Sequence, residues 1–426
     1  MKKYLLLLLN ILFGIFMTSS QTGVWSGDLD VQGVKLPLVF HLDDNPAVDS
    51  PAQGVKGIPI QLTTVTDSVI IDIPAIGAAF KGICKSDEII GVFSQRGIEI
   101  PLVLTPGEKI SQRPQTPKPP YPYSQEEVSF SNGDAVLKGT LTLPEGFGRE
   151  TPVLIMITGS GLQNRDEEFH NHKPFAVIAD ALARNGIASL RYDDRGYGES
   201  TGDAVNCTTE DLMRDALSGI NLLRQRFDKV GVLGHSEGGT ISLMLGEDNN
   251  IDFIVSLAGM VISGKETLLD QNHYVLTQAG YTQQIVDEYC DLLSLAFDGN
   301  ESVAQKLEMS SLPIELKDNL RPVLWQIKTP YMQYVLSSDI RDRLGNISCP
   351  VLALNGTKDT QVFYEKNLDA LKKGLPSNGL NKIVALDGLN HMFQHCKTGS
   401  VTEYATIEET ISPEVLEIIS QWIKSL

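Results

Sequence analysis

The sequence holds little that would serve redox, metal or phosphate chemistry. Its five cysteines, Cys84, Cys207, Cys290, Cys349 and Cys396, are scattered and include no C-x-x-C spacing. No disulfide framework is built from them: the odd number leaves at least one thiol free or paired with another chain, and the rest read as small apolar filler. His170 and His172 stand close together, but no third ligand supports a metal, and both are expected at the surface or at the rim of a site. The stretch Thr158-Gly159-Ser160-Gly161 lacks the Gly-Lys-Ser/Thr end of a phosphate-cradling loop. Positive charge is also scarce. Against 53 Asp and Glu there are only 35 Lys and Arg, a formal net charge of −18, and such a surface repels phosphate backbones, which excludes nucleic acid as an expected partner. Beyond the first 20 residues no stretch is apolar enough to span a membrane.

What is present begins with Met1-Lys2-Lys3, the apolar run Tyr4 to Met17 and then Thr18-Ser19-Ser20, the layout of a secretory signal peptide over residues 1–20. No cysteine stands at the cleavage region to take a lipid, so the expectation is an exported protein, periplasmic or extracellular, without a membrane anchor. Residues 21–113 read as a small all-β domain of short alternating strands, with Val34, Leu36, Leu38, Phe40 and Leu42 on one face, and Val69, Ile71 and Ile73 repeating the period. This domain echoes itself. Gly33-Val34-Lys35-Leu36-Pro37-Leu38-Val39-Phe40 parallels Gly97-Ile98-Glu99-Ile100-Pro101-Leu102-Val103-Leu104, and Gly27 and Gly91 each precede the motif glycine by six residues. Two equivalent hairpins in a curled sheet or open barrel are expected, with no catalytic constellation among them. Five prolines between Gln112 and Pro122 favour extended polyproline geometry, and residues 114–123 read as a stiff linker.

Residues 124–426 have a different grammar. A hairpin around Asn132-Gly133 is followed by continuous apolar runs: Val153 to Ile157, Ile187 to Leu190, Val230 to Leu233, Phe253 to Leu257, Val351 to Leu354 and Ile383 to Leu386. Strands buried on both faces belong to a parallel sheet. Helical spacing separates several of them, as in Leu212, Met213, Ala216, Leu217, Ile220 and Leu223, preceded by a Thr208/Asp211 capping box. The fold class is therefore α/β with a mostly parallel central sheet. From about 264 to 347 the alternation stops, and a mainly helical cap over the strand ends is expected.

The stretch Gly234-His235-Ser236-Glu237-Gly238-Gly239 lies between an apolar strand and an apolar helix. A G-x-S-x-G turn in that context lifts its serine clear of the sheet, so Ser236 is the candidate nucleophile. A serine hydroxyl needs a base, and the base needs a carboxylate to orient it. Asp359 follows one later strand and His391 follows the last, giving the order serine, acid, histidine in loops after three strands. His395 is a weaker candidate for the base, and Asp387 follows the wrong strand for the acid. Oxyanion donors are expected at the backbone N–H of Glu237, placed by the turn, and of Ser160 in the glycine-rich loop after Val153 to Ile157.

These residues resemble those of the α/β-hydrolase superfamily, and more narrowly a group of bacterial exported two-domain carboxylesterases. The resemblance rests on Gly159 to Glu167, on His172-Lys173-Pro174-Phe175, on Leu190 to Ser200, on Gly234 to Gly239, on Gly356 to Asp359 and on Gly388 to His391, and it covers about residues 124 to 426. That group usually has Pro where Leu162 stands and Asp where Asn164 stands. The resemblance implies an α/β-hydrolase fold, no cofactor, and a structural role for the turn Arg195-Gly196-Tyr197-Gly198. Hydrolysis of a small-molecule carboxylic ester through an acyl-enzyme is the leading expectation, with sugar-linked and aromatic esters both open. A serine aminopeptidase or amidase on the same three residues is the alternative, for which Glu237 beside the nucleophile is a hint as a binder of a substrate amino group. An inert binding protein is a third.

Overall fold

The computed structural model describes residues 22–31, 34–51, 55–65, 67–85, 87–107, 113–247 and 250–426. The expected signal peptide, Gly33 and Gln112 lie outside the described residues. The chain divides into two compact units, Met1–Ile110 and Ser111–Leu426.

The first unit contains β1 (Val24–Val31), β2 (Val34–His41), β3 (Ala47–Ser50), β4 (Val55–Pro59), β5 (Gln61–Val65), β6 (Ser68–Ile73), β7 (Ala78–Lys85), β8 (Glu88–Gln95) and β9 (Ile98–Pro106). They form one antiparallel sheet in the order β4-β3-β2-β1-β9-β8-β7-β6-β5. The two ends of that order, β4 and β5, are joined through Ile60 alone, so the sheet curls until its ends are chain neighbours. Phe40, Phe80, Ile71, Ile89 and Leu104 fill the interior. The sequence echo is structural: Gly27 pairs with Leu38 and Gly91 with Leu102 in the same register of their hairpins. Each glycine is required by close approach. A Cβ would meet the Val103 carbonyl oxygen at 2.3 Å from Gly27 and the Lys81 carbonyl oxygen at 2.3 Å from Gly91.

The second unit opens with the hairpin β10 (Ser124–Asn132) and β11 (Ala135–Leu143), then β12 (Val153–Ile157), α1 (Pro174–Arg184), β13 (Ala188–Tyr192), α2 (Thr209–Arg224), β14 (Val230–His235), α3 (Glu237–Leu245) and β15 (Phe253–Leu257). Next come α4 (Gly264–Gln278), α5 (Gln283–Phe297), α6 (Val303–Met309), α7 (Ile314–Gln326) and α8 (Pro330–Ser337), followed by β16 (Val351–Gly356), α9 (Tyr364–Gly374), β17 (Lys382–Leu386) and α10 (Pro413–Ser425). The sheet order is β10-β11-β13-β12-β14-β15-β16-β17, antiparallel at β10 and β11 and parallel from β13 onward.

The continuous apolar runs are explained by two cores, because successive side chains of a strand point to opposite faces. Val153 and Ile155 pack with α2, α3 and α9, whereas Leu154 and Met156 pack with α1 and α10. Among the parallel strands, only β17 departs from full burial, since it lies at an edge of the sheet. The Thr208/Asp211 capping box is formed at the start of α2. The helical insertion α4 to α8 lies where the alternation of strands and helices lapses, and it has a core of its own around Val286, Tyr289, Leu293, Leu307 and Leu320.

Proline-rich residues 113–123 are tied to the second unit. Arg113, 9% exposed, donates to the carbonyls of His170 and Ala405, and Gln115 bonds the backbone of Thr410 and Ile411. The turn after β13 is structural, as the resemblance implied. Arg195 donates from Nε (2.7 Å) and Nη2 (2.6 Å) to Asp215 of α2, and Asn132 Nδ2 of the first hairpin adds a third bond at 2.8 Å. Asp215 has no exposed side-chain surface, so removing it strands a buried guanidinium. Asp215→Ala is expected to lower unfolding stability by about 3–5 kcal/mol, read as a fall in the urea midpoint at constant m-value; a midpoint within experimental error of the parent would refute this account of the turn.

Candidate active site

Ser236 sits between the end of β14 and the start of α3 with φ 54° and ψ −119°, a left-handed conformation that costs a non-glycine residue about 1–3 kcal/mol. Its surroundings enforce it. The Ser236 N–H donates to the Leu257 carbonyl at 2.8 Å, and the glycines on either side admit backbone where no side chain would fit. A Cβ on Gly234 would lie 1.9 Å from the Gly238 carbonyl oxygen, and one on Gly238 would lie 2.0 Å from that of Ile157. The hydroxyl is thereby presented at the carboxyl ends of the parallel strands.

His391 Nδ1 is 2.7 Å from Asp359 Oδ2. A carboxylate only accepts, so Nδ1 carries the hydrogen and Nε2 is left as the free base. The other oxygen of Asp359 accepts from the N–H groups of Gln361 (2.8 Å) and Val362 (2.9 Å). The two loops are stitched to each other as well: Thr357 N–H donates to the Leu386 carbonyl and Lys358 N–H to that of Leu389, both at 2.9 Å. Asn390 Oδ1 closes the turn by accepting from the N–H of Met392 and Gln394. Ser236, His391 and Ser160 line one cavity of about 510 Å³, with Asp359 buried behind the histidine.

The glycine-rich loop after β12 is held by two buried carboxyl groups. Asp194 accepts from Thr158 Oγ1 (2.9 Å) and from the Gln163 N–H (2.7 Å), and burial pushes its carboxyl up to about 8. Glu167 Oε1 accepts from the Gly159 N–H at 2.7 Å. That bond occupies the Gly159 donor, while the N–H groups of Ser160 and Glu237 have no partner among the described residues. A Cβ on Gly159 would come within 3.2 Å of Ser236 Cβ, so the loop lies directly against the nucleophile.

Glu167 Oε1 also lies 3.0 Å from His235 Nδ1, and His235 Nε2 lies 3.0 Å from the His391 carbonyl oxygen. Both ring nitrogens face oxygens that only accept, so both carry hydrogen and His235 is an imidazolium. Burial opposes that charge, but the Glu167 carboxylate and the His391 carbonyl outweigh it and raise the pKa above 6.5. Sequence reasoning assigned no role to Glu167, Asp194 or His235. Each nevertheless lies in one of the stretches that carry the resemblance.

Other expectations resolve differently. His395 is well exposed and bonds Glu409, and Asp387 accepts from Thr357 Oγ1. His170 lines the rim of the cavity, but His172 does not belong at a surface. It is fully buried, bonded to Thr410 Oγ1 and near the Tyr404 carbonyl, and desolvation together with Arg113 lowers its pKa to about 4. Glu237 is buried with both oxygens engaged, one by Thr209 Oγ1 (2.6 Å) and one by Tyr331 OH (2.5 Å) from α8. No disulfide joins the cysteines among the described residues, no group of His, Cys, Asp and Glu among the described residues could hold a metal, and no described helix is long and apolar enough to cross a membrane.

Among known proteins, the esterase EstD of Thermotoga maritima is 27% identical over 312 residues, covering 71% of this chain and 68% of the relative. Solved structures with a similar fold include the Pyrococcus furiosus esterase Pf2001 (TM-score 0.45, 14% identity, 75% of this chain and 99% of that one). They also include the proline iminopeptidase of Mycobacterium smegmatis (0.45, 16%, 70% and 98%) and Est1E of Butyrivibrio proteoclasticus with ferulic acid bound (0.43, 18%, 70% and 99%). Residues 170–395, more than half of the chain, match the family model described as serine aminopeptidase, S33, and the chain therefore belongs to that family of serine hydrolases with the α/β-hydrolase fold.

Proposed function

We propose that this protein hydrolyses carboxylic esters through an acyl-enzyme on Ser236. The observation that carries the reading is the bond between His391 Nδ1 and buried Asp359, which leaves Nε2 as the base on the wall of the cavity that Ser236 enters. His391 takes the serine proton as Ser236 Oγ attacks the carbonyl carbon. The N–H groups of Ser160 and Glu237 receive the developing oxyanion, a contribution typically worth a hundredfold or more per donor. The alkoxide leaves with the proton held by His391, and water repeats the sequence on the acyl-enzyme. No cofactor is required by this route.

Ester rather than amide is favoured by Glu237. A carboxylate that recognises a substrate amino group should have oxygens to spare, and this one is taken up by two hydroxyls. The likeness to EstD, named as an esterase, points the same way. The layout of residues 1–20 supports export of the chain.

Two outcomes are expected. Ser236→Ala should reduce turnover of 4-nitrophenyl esters by roughly 10⁴-fold or more with an unchanged thermal melt, and purified variant that still turns over would sink the assignment. In the parent, an ester should be cleaved far faster than the matched aminoacyl arylamide; the reverse ranking would favour the aminopeptidase reading.

The His235–Glu167 pair carries a pH signature. Its folded-state pKa is raised above the ordinary 6.5, so its stabilisation is fully present below about pH 6.5 and is lost as pH rises through the folded value. The gap in urea midpoint between the parent and His235→Gln should therefore narrow from pH 6 to pH 9. A gap independent of pH would contradict the imidazolium assignment.

A further inference from the structure

Two cavities meet at Ser236, and only one of them contains the base. The larger, about 510 Å³, is lined by Ser236, Ser160 and His391. The smaller, about 90 Å³, is lined by Ser236, Ser160 and Glu237 but not by His391. We infer that the small cavity receives the acyl group and the large one the alcohol, so that the substrates are esters of short acids, two to four carbons long, with ring-sized alcohols. This inference rests on the ester-hydrolase reading.

The assignment follows from the proton. When the carbonyl C–O bond breaks, the departing alkoxide takes its hydrogen from His391 Nε2, so the alcohol must lie on the side that His391 borders. The carbonyl carbon is bonded to Ser236 Oγ with its oxygen at the Ser160 and Glu237 N–H groups, and the remaining substituent extends into the space that those two residues share without the histidine. That space is less than a fifth of the larger one. Its walls also oppose a long hydrocarbon. Glu237, Thr209, Thr240 and Thr267 belong to it, with Met260 as the bulkiest apolar residue that it does not share with the larger space.

The alcohol side differs in size and character. Its volume lies within the range of pockets that enclose drug-sized ligands. Phe169 and Tyr404, whose rings meet edge to face at 5.9 Å, and the amides of Gln163 and Gln361 line it. Rings with amides beside them suit a cyclic alcohol that offers both a face and hydrogen-bonding groups. Leu268 and Gln271 of α4 and Val335 of α8 line both spaces.

The test is kcat/KM of the full chain on 4-nitrophenyl acetate, butyrate, octanoate and decanoate, and on ethyl, cyclohexyl and monosaccharide acetates. Acetate and butyrate should exceed octanoate at least tenfold, and the ring-bearing acetates should show lower KM than ethyl acetate. Met260→Ala, or the milder Met260→Val, should raise the octanoate-to-acetate ratio at least fivefold, whereas Phe169→Ala should alter the alcohol ranking and not the acyl ranking. Octanoate equal to or faster than acetate in the parent overturns the inference while leaving ester hydrolysis standing. An unchanged acyl ratio in folded Met260 variants overturns the placement of the acyl group. A chain inert towards all these esters and unlabelled by a fluorophosphonate refutes the underlying reading, and this inference with it.

Discussion

One carboxylate oxygen ties the parts of the site together. Glu167 Oε1 accepts from the Gly159 N–H of the oxyanion loop and from His235, which in turn donates to the carbonyl of His391. Three segments distant in sequence, the loop after β12, the end of β14 and the loop after β17, are thereby fixed relative to one another by a buried ion pair. Relative to well-packed apolar side chains such a pair adds little net stability, because desolvating both charges offsets much of their attraction, although removing one partner alone is costly. What it supplies is position. Donors aimed in advance at the place where charge develops need not reorganise during the reaction, and electrostatic stabilisation of an oxyanion depends on that.

The same logic explains the strain at Ser236. Its left-handed backbone is unfavourable in isolation, yet the turn is packed so closely that a Cβ on Gly234 or on Gly238 would overlap neighbouring backbone. Asp194 does for the glycine loop what these contacts do for the elbow. It holds Thr158 and Gln163 on either side of Gly159 and Ser160, so the loop is clamped at both ends of the segment that faces the nucleophile. Its carboxyl is held where ionisation is unfavourable, a cost acceptable because the loop geometry depends on it.

How much of this was legible beforehand differs by kind of signal. Strands β12 to β16 were readable because burial on both faces writes a continuous apolar run, and the cap was readable as the place where that rhythm stops. Ser236, Asp359 and His391 were readable as candidates because the turn has a fixed local pattern and the chain order narrows the partners. Glu167, Asp194 and His235 were not, because their roles lie in tertiary pairing: Glu167 and His235 stand 68 positions apart with no periodic relation. His172 failed for the complementary reason. A polar residue in a polar loop suggests exposure, and its burial depends on Thr410 and Tyr404, which come from the far end of the chain.

Glu237 shows why a residue next to the nucleophile is easily misread. Its backbone N–H is free to face the oxyanion, while its side chain turns the other way and joins the first residue of α2, Thr209, to Tyr331 of the cap. An acidic side chain beside a catalytic serine suggests recognition of an amine when only the sequence is in view. In the folded chain the carboxylate instead couples α8 to the elbow. Under the proposed mechanism, contacts from α8 and stabilisation of the oxyanion would meet at a single residue, and any movement of α8 must first break the bond from Tyr331.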